Sequence, residues 1–421
     1  MKVSSKYIII VFLFIAVPSI LWAQSENFLY DLVSEVLQNN PQLKALKKEW
    51  ESKKAKITSE KSLPQPEFGF TYYGESVETR VGPMRRKYSV KQPIPFPTKL
   101  SLKGKIAKKE AEIAYAKYIL GVRGLTEQLK AYFYDYYFVV RSIHILSAEK
   151  LILESIRKSI QTKYEALKAS QQDLVKADLE ITKIEDKILG LRKQENLLRA
   201  QINRILDRPQ GTAIDIPLGY TPTPKELQME KTVLLEKAHS ESPHILLERI
   251  ALQKQDYKFS LAKQGYIPDF SIMAEYIEIG EGKTSSANDG KDAWMVGLSV
   301  RVPLWFWKIR SEVESEKKKR DAQKFVFEDK ENFLSFKIED LFFRLKTEEQ
   351  LVDLYENVIL PQAEHNFSVS RIGYESGSVD FLSFLDAERN LISIKIAELK
   401  QIVDYKKTIA QLEYIIGEDL E

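Results

Sequence analysis

The longest hydrophobic patterns in the chain have the spacing of coiled-coil helices. One apolar seam steps alternately by three and four residues from Leu174 to Ile205 and is interrupted by Glu195. A second seam with the same step runs from Leu334 to Ile359 and also contains one glutamate. Helices with such seams pack against their neighbours by knobs into holes. The pattern predicts a mainly α-helical protein with coiled-coil packing.

Two helical stretches are long. The pattern predicts helices from Thr98 to Tyr164 and from Trp307 to Tyr374, each on the order of 100 Å at 1.5 Å per residue. Pro361 lies inside the second stretch, and proline removes a helical hydrogen bond and clashes with the preceding turn. We therefore expect the second helix to kink or break near Pro361.

Short alternating segments lie between the helices and predict one β-hairpin in each half of the chain, at 66–93 and 268–303. Apolar residues alternate with mixed ones from Trp294 to Val302 and from Phe270 to Tyr276. Period two is the signal of a strand with two different faces. Length, alternation and aromatic content are typical of outer-membrane strands. A small soluble sheet packed on helices is the alternative.

The two halves repeat one order of elements. Pro41 and Pro243, and likewise Pro66 and Pro268, are each separated by 202 residues and begin or follow comparable helical runs. This duplication predicts a first repeat at 24–215 with a helical tip at 165–173 and a second repeat at 226–421 with a tip at 375–380. Residues 216–225, which contain Pro217, form the expected linker or equatorial segment.

The first 23 residues have the pattern of an export signal. Lys2 and Lys6 precede an apolar core from Tyr7 to Ile20, and Ala23 offers a cleavage site. An N-terminal membrane anchor is the alternative, but the core is shorter than the ~20 apolar residues of a spanning helix. We expect residues 1–23 to be a signal peptide.

The amino-acid composition argues against several classes of function. The chain has no cysteine, which excludes a disulfide scaffold and a thiol enzyme, and its formal net charge of +3 indicates no nucleic-acid partner. No nucleophile–base pair, phosphate loop or metal triad is found, so we expect neither an enzyme nor a cofactor. The four histidines are scattered and predict no metal site.

The strand count predicts an oligomer. Each chain supplies four predicted strands, whereas a closed outer-membrane barrel has at least about eight, so two or more chains must combine. The helical segments would leave one end of that barrel and form an extension. A periplasmic coiled-coil structural or adaptor protein is the competing interpretation.

The chain resembles the TolC family of outer-membrane efflux factors from about Asn40 to Gly417. The specific stretches are Leu360–Glu364, Tyr374–Gly377, Leu385–Arg389 and Ala169–Leu174. The resemblance implies a homotrimer with a twelve-stranded outer-membrane β-barrel, continuous with a long coiled-coil α-helical barrel in the periplasm. It also implies docking onto a periplasmic adaptor and an inner-membrane pump of the RND type, in contact with outer-membrane lipid.

The resemblance also implies a periplasmic gate. Asp386 matches a ring-forming aspartate, Asp173 an acidic gate residue and Tyr374 a gate tyrosine. Val379 replaces the family's gating arginine and Ser383 its second aspartate, so the same latch is not expected. From the residues alone, Asp386 could be a solvated carboxylate in an early helical turn, and Asp173 could be a capping acid.

The turns at the tips are the expected adaptor-docking sites. Family members dock through small and polar residues there, which here are Gly377, Ser378, Ala169 and Ser170. Gly377 could equally be required by a positive φ angle.

Two tryptophans, Trp305 and Trp307, lie where the last predicted strand passes into a helix. Interfacial aromatic rings anchor outer-membrane barrels at such positions, and packing on the helices is the alternative.

The cargo is indicated only by short matches. The 168–173 turn and the Pro303–Phe306 segment look most like the heavy-metal branch of RND efflux systems. A duct for drugs or secreted proteins is the alternative.

Overall fold

The structure is a computed structural model that describes residues 28–75, 77–167, 169–217, 219–282, 285 and 287–420. The predicted signal peptide at 1–23 lies outside the described residues and stays a prediction. The described chain divides into two compact units. Unit 1 comprises residues up to Ala45, Ile119–Pro243 and Asn332–Glu421, and unit 2 comprises Leu46–Tyr118 and His244–Glu331. Each unit therefore takes segments from both predicted repeats.

The described part of the first half of the chain contains four helices. They are α1 over residues 28–39, α2 at Pro41–Lys61, α3 at Pro97–Glu165 and α4 at Gln171–Leu206. The 69-residue α3 agrees with the long helix predicted from Thr98 to Tyr164.

The second half contains the corresponding helices. They are α5 at Lys231–Glu241, α6 at Pro243–Lys263, α7 at Phe306–Leu354, α8 at Leu360–Ser376 and α9 at Phe381–Ile416. The short helices α1 and α5 are not predicted from the hydrophobic pattern, which places helix starts only at Pro41 and Pro243.

The duplication is visible in the residues before these two prolines. Asn40 is buried, and its Nδ2 donates a hydrogen bond to the carbonyl of Ile205 at 2.8 Å. Ser242 is also buried, and its Oγ donates to the carbonyl of Ile415 at 2.7 Å. In both halves a polar residue preceding a helix thus binds the backbone near the end of the last helix of that half.

Pro361 interrupts a long helix as expected, and the structure shows how. A π-helical turn at Tyr355–Ile359 separates α7 from α8, and the N–H of Leu360 bonds back to the carbonyl of Tyr355. Pro361 falls in the first turn of α8, where its missing N–H is tolerated. The single helix predicted from Trp307 to Tyr374 is therefore three consecutive helical segments.

The strands of unit 2 form one antiparallel sheet in the order β1-β3-β4-β5. They are β1 at Glu67–Tyr72, β3 at Gly82–Ile94, β4 at Asp269–Ile279 and β5 at Ala293–Arg301. A two-residue strand β2 at Glu78–Thr79 pairs with β3 and is an addition to the four predicted strands. The hairpins of the two halves join through β3 and β4, so the described strands form one sheet per chain.

The core of unit 1 contains the predicted seams. A buried cluster joins α3, α4 and α9 in the part of unit 1 that carries the tips; its members are Leu146, Leu153, Ile160, Ala177, Ile184, Ile188, Phe381, Phe384, Leu385 and Ile392. Leu334, Ile338 and Leu345 of the second seam are buried as well. The prediction of a mainly α-helical chain with a four-stranded antiparallel sheet is confirmed. Among the described helices, none is long and apolar enough to cross a membrane.

Candidate functional site

The turn between α3 and α4 is closed by a capping box. Ser170 is the N-cap of α4, and its Oγ accepts a hydrogen bond from the N–H of Asp173 at 3.2 Å. In return, the Asp173 carboxylate accepts from the Ser170 N–H at 3.3 Å and from its hydroxyl at 2.8 Å. Reciprocal bonds of this kind satisfy N–H groups that a helix end leaves unpaired. Asp173 therefore has the capping role that the sequence left open, and its gate role stays a prediction.

The other residues of this turn differ in how exposed their side chains are. Leu167 adopts a positive φ of 61° and is 93% exposed, although apolar side chains rarely adopt that conformation. Ala169, a predicted docking residue, is half-buried against the apolar cluster, whereas Ser170 is exposed. The sequence analysis does not single out Leu167, because nothing in a helical pattern marks a left-handed leucine.

The turn between α8 and α9 is closed by glycine. Gly377 has a φ of 81°, and nothing lies within 4 Å of the position that a Cβ would occupy. Its N–H and those of Ser378 and Val379 bond back to the last carbonyls of α8, with the Ser378 bond to Gly373 at 2.8 Å. The positive φ expected of Gly377 is thus present, and its free Cβ position leaves the surface of this turn open.

An aspartate then begins α9. The Asp380 carboxylate accepts hydrogen bonds from the N–H and the hydroxyl of Ser383, both at 2.9 Å. These bonds, led by the one from the backbone, lower the pKa of Asp380. Ser383, which replaces an aspartate of the family, therefore serves this cap.

Tyr374 joins the two tips. Its ring stacks on Phe384 with centroids 5.5 Å apart, and the Nζ of Lys163 lies 4.6 Å from its centroid. Burial and, secondarily, the charge of Asp173 raise the pKa of Tyr374. The charge of Asp173 thus acts on the Tyr374 hydroxyl, and Lys163 from α3 adds a contact that the sequence analysis missed; the gate role of Tyr374 stays a prediction. This cation–π contact cannot be predicted from the hydrophobic pattern of the sequence, because its two residues are distant in sequence.

Asp386 lies on α9 with 63% of its side chain exposed. Its Oδ1 accepts from Nη1 of Arg389 at 3.3 Å, and Nη2 of the same guanidinium donates to Glu180 of α4. Both carboxylates raise the pKa of Arg389, Glu180 more strongly. Asp386 is therefore a solvent-facing carboxylate held by an arginine that also links the two helical hairpins.

The predicted interface aromatics are in unit 2. Trp305 precedes α7 and Trp307 lies in its first turn; the rings are 61% and 68% exposed, with centroids 5.2 Å apart. Within the described chain, neither ring is packed into the core, which contradicts the core-packing alternative and leaves anchoring as a prediction.

Metal ligands are not grouped in the described residues. No cluster of three or more histidine, aspartate or glutamate side chains with the geometry of a metal site occurs among them. His239 lies 3.1 Å from the hydroxyl of Ser335, and burial lowers the pKa of His244 to about 4.

Comparison with known proteins identifies the fold and matches the second half of the chain to a family. Residues 234–418 match the family model described as outer membrane efflux protein. The outer membrane protein VceC from Vibrio cholerae has the same fold, with a TM-score of 0.78 and 15% identity over 95% of this chain and 98% of that one. The second half of the chain thus matches the outer membrane efflux protein family, and the chain has the TolC-like fold of solved outer-membrane channels, in agreement with the predicted resemblance.

Other relatives agree with this assignment. CusC superposes with a TM-score of 0.77 and 14% identity, covering 93% of this chain and 92% of that one. The cobalt-zinc-cadmium resistance protein CzcC of Cupriavidus metallidurans is 22% identical over 389 residues, which are 90% of this chain and 87% of that protein.

The family match bears on several predictions at once. The outer membrane efflux protein is a channel of tripartite efflux systems, located in the outer membrane, and the family is not enzymatic. The predicted family, channel role and location are therefore confirmed.

Proposed function

We propose that three copies of this outer membrane efflux protein form a duct with a twelve-stranded barrel and a helical wall. The observation that carries the proposal is the two-faced sheet of unit 2. On one face, cross-strand neighbours are apolar on all four strands, as in the rows Phe68–Val90–Ala274–Val296 and Phe70–Tyr88–Tyr276–Trp294. These side chains are largely exposed in a single chain, with Phe68 and Trp294 both at 77%.

The opposite face of the sheet is mostly polar. Lys87 of β3 pairs with Glu275 of β4 at 2.8 Å, and Ser89 lies between Gly69 and Glu275 in the register. A membrane barrel places its apolar face against lipid and its polar face towards the lumen. The apolar face thus fits lipid contact, and the Lys87 face fits a water-filled channel.

The edges of the sheet support closure by further copies. The outer strands β1 and β5 are almost entirely exposed. Unpaired edges of this length are normally covered or paired, and a barrel pairs them completely. Four main strands per chain give twelve in a trimer, the number implied by the family resemblance.

Trp305 and Trp307 fit this membrane arrangement. Both exposed rings lie just beyond β5, where the strand ends and α7 begins. Amphipathic rings of this kind prefer the membrane–water interface. We assign them to the periplasmic interface of the barrel, where they would anchor it in outer-membrane lipid.

We further propose that the tips are the periplasmic entrance. Asp386 is exposed and contributes one carboxylate per chain, so a trimer would place three around the axis and favour cations. Gly377, Ser378, Ala169 and Ser170 would contact a periplasmic adaptor, which connects the duct to an inner-membrane pump of the RND type.

Divalent metal cations are the cargo that we propose. CzcC is described as a cobalt-zinc-cadmium resistance protein, and it aligns over nearly the whole chain. An acidic entrance is compatible with cations of this kind, and a duct requires no tight metal site. Deleting the gene in its native host should lower growth in Zn²⁺, Co²⁺ or Cd²⁺, and complementation should restore it. Unchanged tolerance to all three ions would contradict this cargo.

The duct itself is tested by mass and conductance. The full-length protein should be extracted from the outer-membrane fraction with detergent, sized by light scattering and inserted into a planar bilayer. We expect a trimer that forms discrete conducting channels, because only a closed barrel satisfies both sheet edges. A monomer that is released in a periplasmic wash and does not conduct would contradict the proposal and favour the soluble coiled-coil alternative.

The gate is tested in the same bilayer. Asp386→Asn should reduce the preference for cations severalfold, since three carboxylate charges are removed from the entrance. Asp186→Asn is the matched control, because Asp186 is an exposed acid on α4 away from the predicted gate. Equal selectivity in both variants would remove Asp386 from the gate.

A further inference from the structure

Two glutamates lie inside the helical core next to the predicted gate. Glu388 of α9 is only 1% exposed, and Glu149 of α3 is half-buried with its Oε1 shielded from solvent. Among the described residues, no hydrogen-bond donor reaches Oε1 of Glu149 or either carboxylate oxygen of Glu388. A buried carboxylate oxygen without a donor is strongly unfavourable.

The surroundings of the pair are apolar along both helices. Leu146 and Leu153 lie one turn to either side of Glu149, and Leu385 and Ile392 lie one turn to either side of Glu388. All four leucine and isoleucine side chains belong to the buried cluster that joins α3, α4 and α9. The two carboxyl groups therefore interrupt an otherwise hydrophobic contact between helices.

The nearby charges do not neutralise the pair. Within the described residues, the charged groups that act most strongly on Glu388 are Glu149 from α3, Glu180 from α4 and Arg389 from α9 itself. The Arg389 guanidinium already donates to Glu180 and Asp386. Glu149 and Glu388 are thus left with each other as partners. Two ionised carboxylates that face each other repel.

We propose that Glu149 and Glu388 form a buried proton-binding site, in which one proton is shared as a carboxyl–carboxylate hydrogen bond between α3 and α9. A protonated carboxyl has one O–H donor, so the proton satisfies an oxygen on each residue. Burial, reinforced by Glu149, raises the pKa of Glu388 to about 10.

The site makes the contact between α3 and α9 dependent on pH. In the folded protein Glu388 keeps its proton well above pH 4.5, the ordinary value of the glutamate pKa, whereas in the unfolded chain it releases the proton near that value. The proton therefore stabilises the fold fully below pH 4.5, and this contribution is lost as pH rises towards 10. This inference concerns the packing of one chain and holds whether or not three chains form a duct.

Infrared spectroscopy tests the proton directly. The full-length protein in detergent at pH 7.5 should show the carbonyl stretch of a buried protonated carboxyl that Glu388→Gln lacks and that Asp186→Asn retains. A titration of the wild-type protein alone gives the same information if the variant does not fold, because the band should disappear as pH approaches 10 to 11. A band that is absent at pH 7.5, or unchanged by Glu388→Gln, would overturn the proposal.

Thermal unfolding between pH 5 and 9 tests the coupling to stability. The wild-type protein should lose stability relative to Glu388→Gln as pH rises. The ratio of their unfolding equilibrium constants should change by up to tenfold per pH unit, the value for one bound proton. The Asp186→Asn curve should run parallel to that of the wild type. A difference between Glu388→Gln and wild type that stays constant with pH would show that no proton is bound at the pair.

Discussion

The two tips of unit 1 occupy equivalent places in the duplicated chain and close their turns in different ways. The first turn places Leu167 at a φ of 61° and closes α4 with the Ser170–Asp173 capping box. The second places glycine in the left-handed position, at Gly377, and caps α9 with Asp380. Both solutions satisfy the backbone groups that helix ends leave unpaired.

The two tips differ in whether the acid of the predicted gate is also part of the helix cap. In the first tip the Asp173 carboxylate is bound within the cap, so any change there alters the turn as well as the charge. In the second tip Asp380 forms the cap, and Asp386 lies free of it on the exposed side of α9. A charge change at Asp386 therefore leaves the cap intact and removes only an exposed bond to Arg389, whereas the same change at Asp173 alters the turn itself.

The largest effect on this comparison is expected from Gly373→Ala. A Cβ at Gly373 would lie 2.5 Å from Cγ2 of Val379, so the second turn must move to admit it. Overpacking of this kind costs roughly 1–3 kcal/mol. Amide hydrogen exchange at the two tips should show faster opening of the second tip alone.

The control for this variant is Gly190→Ala on α4. Nothing lies within 4 Å of the Cβ position there, so helix propensity should make this change neutral or stabilising by up to about 1 kcal/mol. If Gly373→Ala behaves like Gly190→Ala, the close contact with Val379 does not constrain the second turn.

A smaller effect is expected from Ser170→Ala in the first tip. The change removes the hydroxyl that accepts from Asp173 N–H, and loss of an N-cap costs about 1 kcal/mol. Exchange should accelerate in the first turn of α4 and stay unchanged in α9. Ser170→Thr, which keeps the hydroxyl as acceptor and donor, should recover most of the loss. Equal exchange in Ser170→Ala and wild type would mean that the capping box contributes nothing.

The smallest effect is expected from Leu167→Asn. Asparagine tolerates the left-handed conformation better than leucine, and the exposed Leu167 side chain has little packing to lose. Amide exchange in the first tip should slow in this variant. The slowing should correspond to roughly a few tenths of a kcal/mol in the free energy of local opening. Faster exchange would indicate that Leu167 is covered in the assembled protein, as an adaptor-contacting residue would be.

Much of the architecture follows from local patterns in the chain. The seams from Leu174 and Leu334, the alternating strands and the proline pairs predict the helices and hairpins, because each pattern records which face of an element is buried. The joining of the two hairpins through β3 and β4 is not visible in the sequence, since pairing between distant strands depends on the folded whole.

The site was predicted less completely than the fold. The family resemblance identifies Asp386 and Tyr374, and the helical period places them on α9 and α8. It gives no indication of the Lys163–Tyr374 contact or of the pairing of Glu149 with Glu388. Such partners come from different helices, and only packing of those helices brings them together.

The π turn before Pro361 sets the rotation of α8 about its own axis relative to α7. A π turn adds one residue to an α-helical turn, and each residue rotates a helix by about 100°. If the same residues formed regular α-helix instead, with no deletion, α8 would be turned by about that angle relative to α7. Tyr374 would then leave the face that meets Phe384 and Lys163. One inserted residue, about fifteen positions earlier, therefore determines which side of α8 faces Phe384 and Lys163.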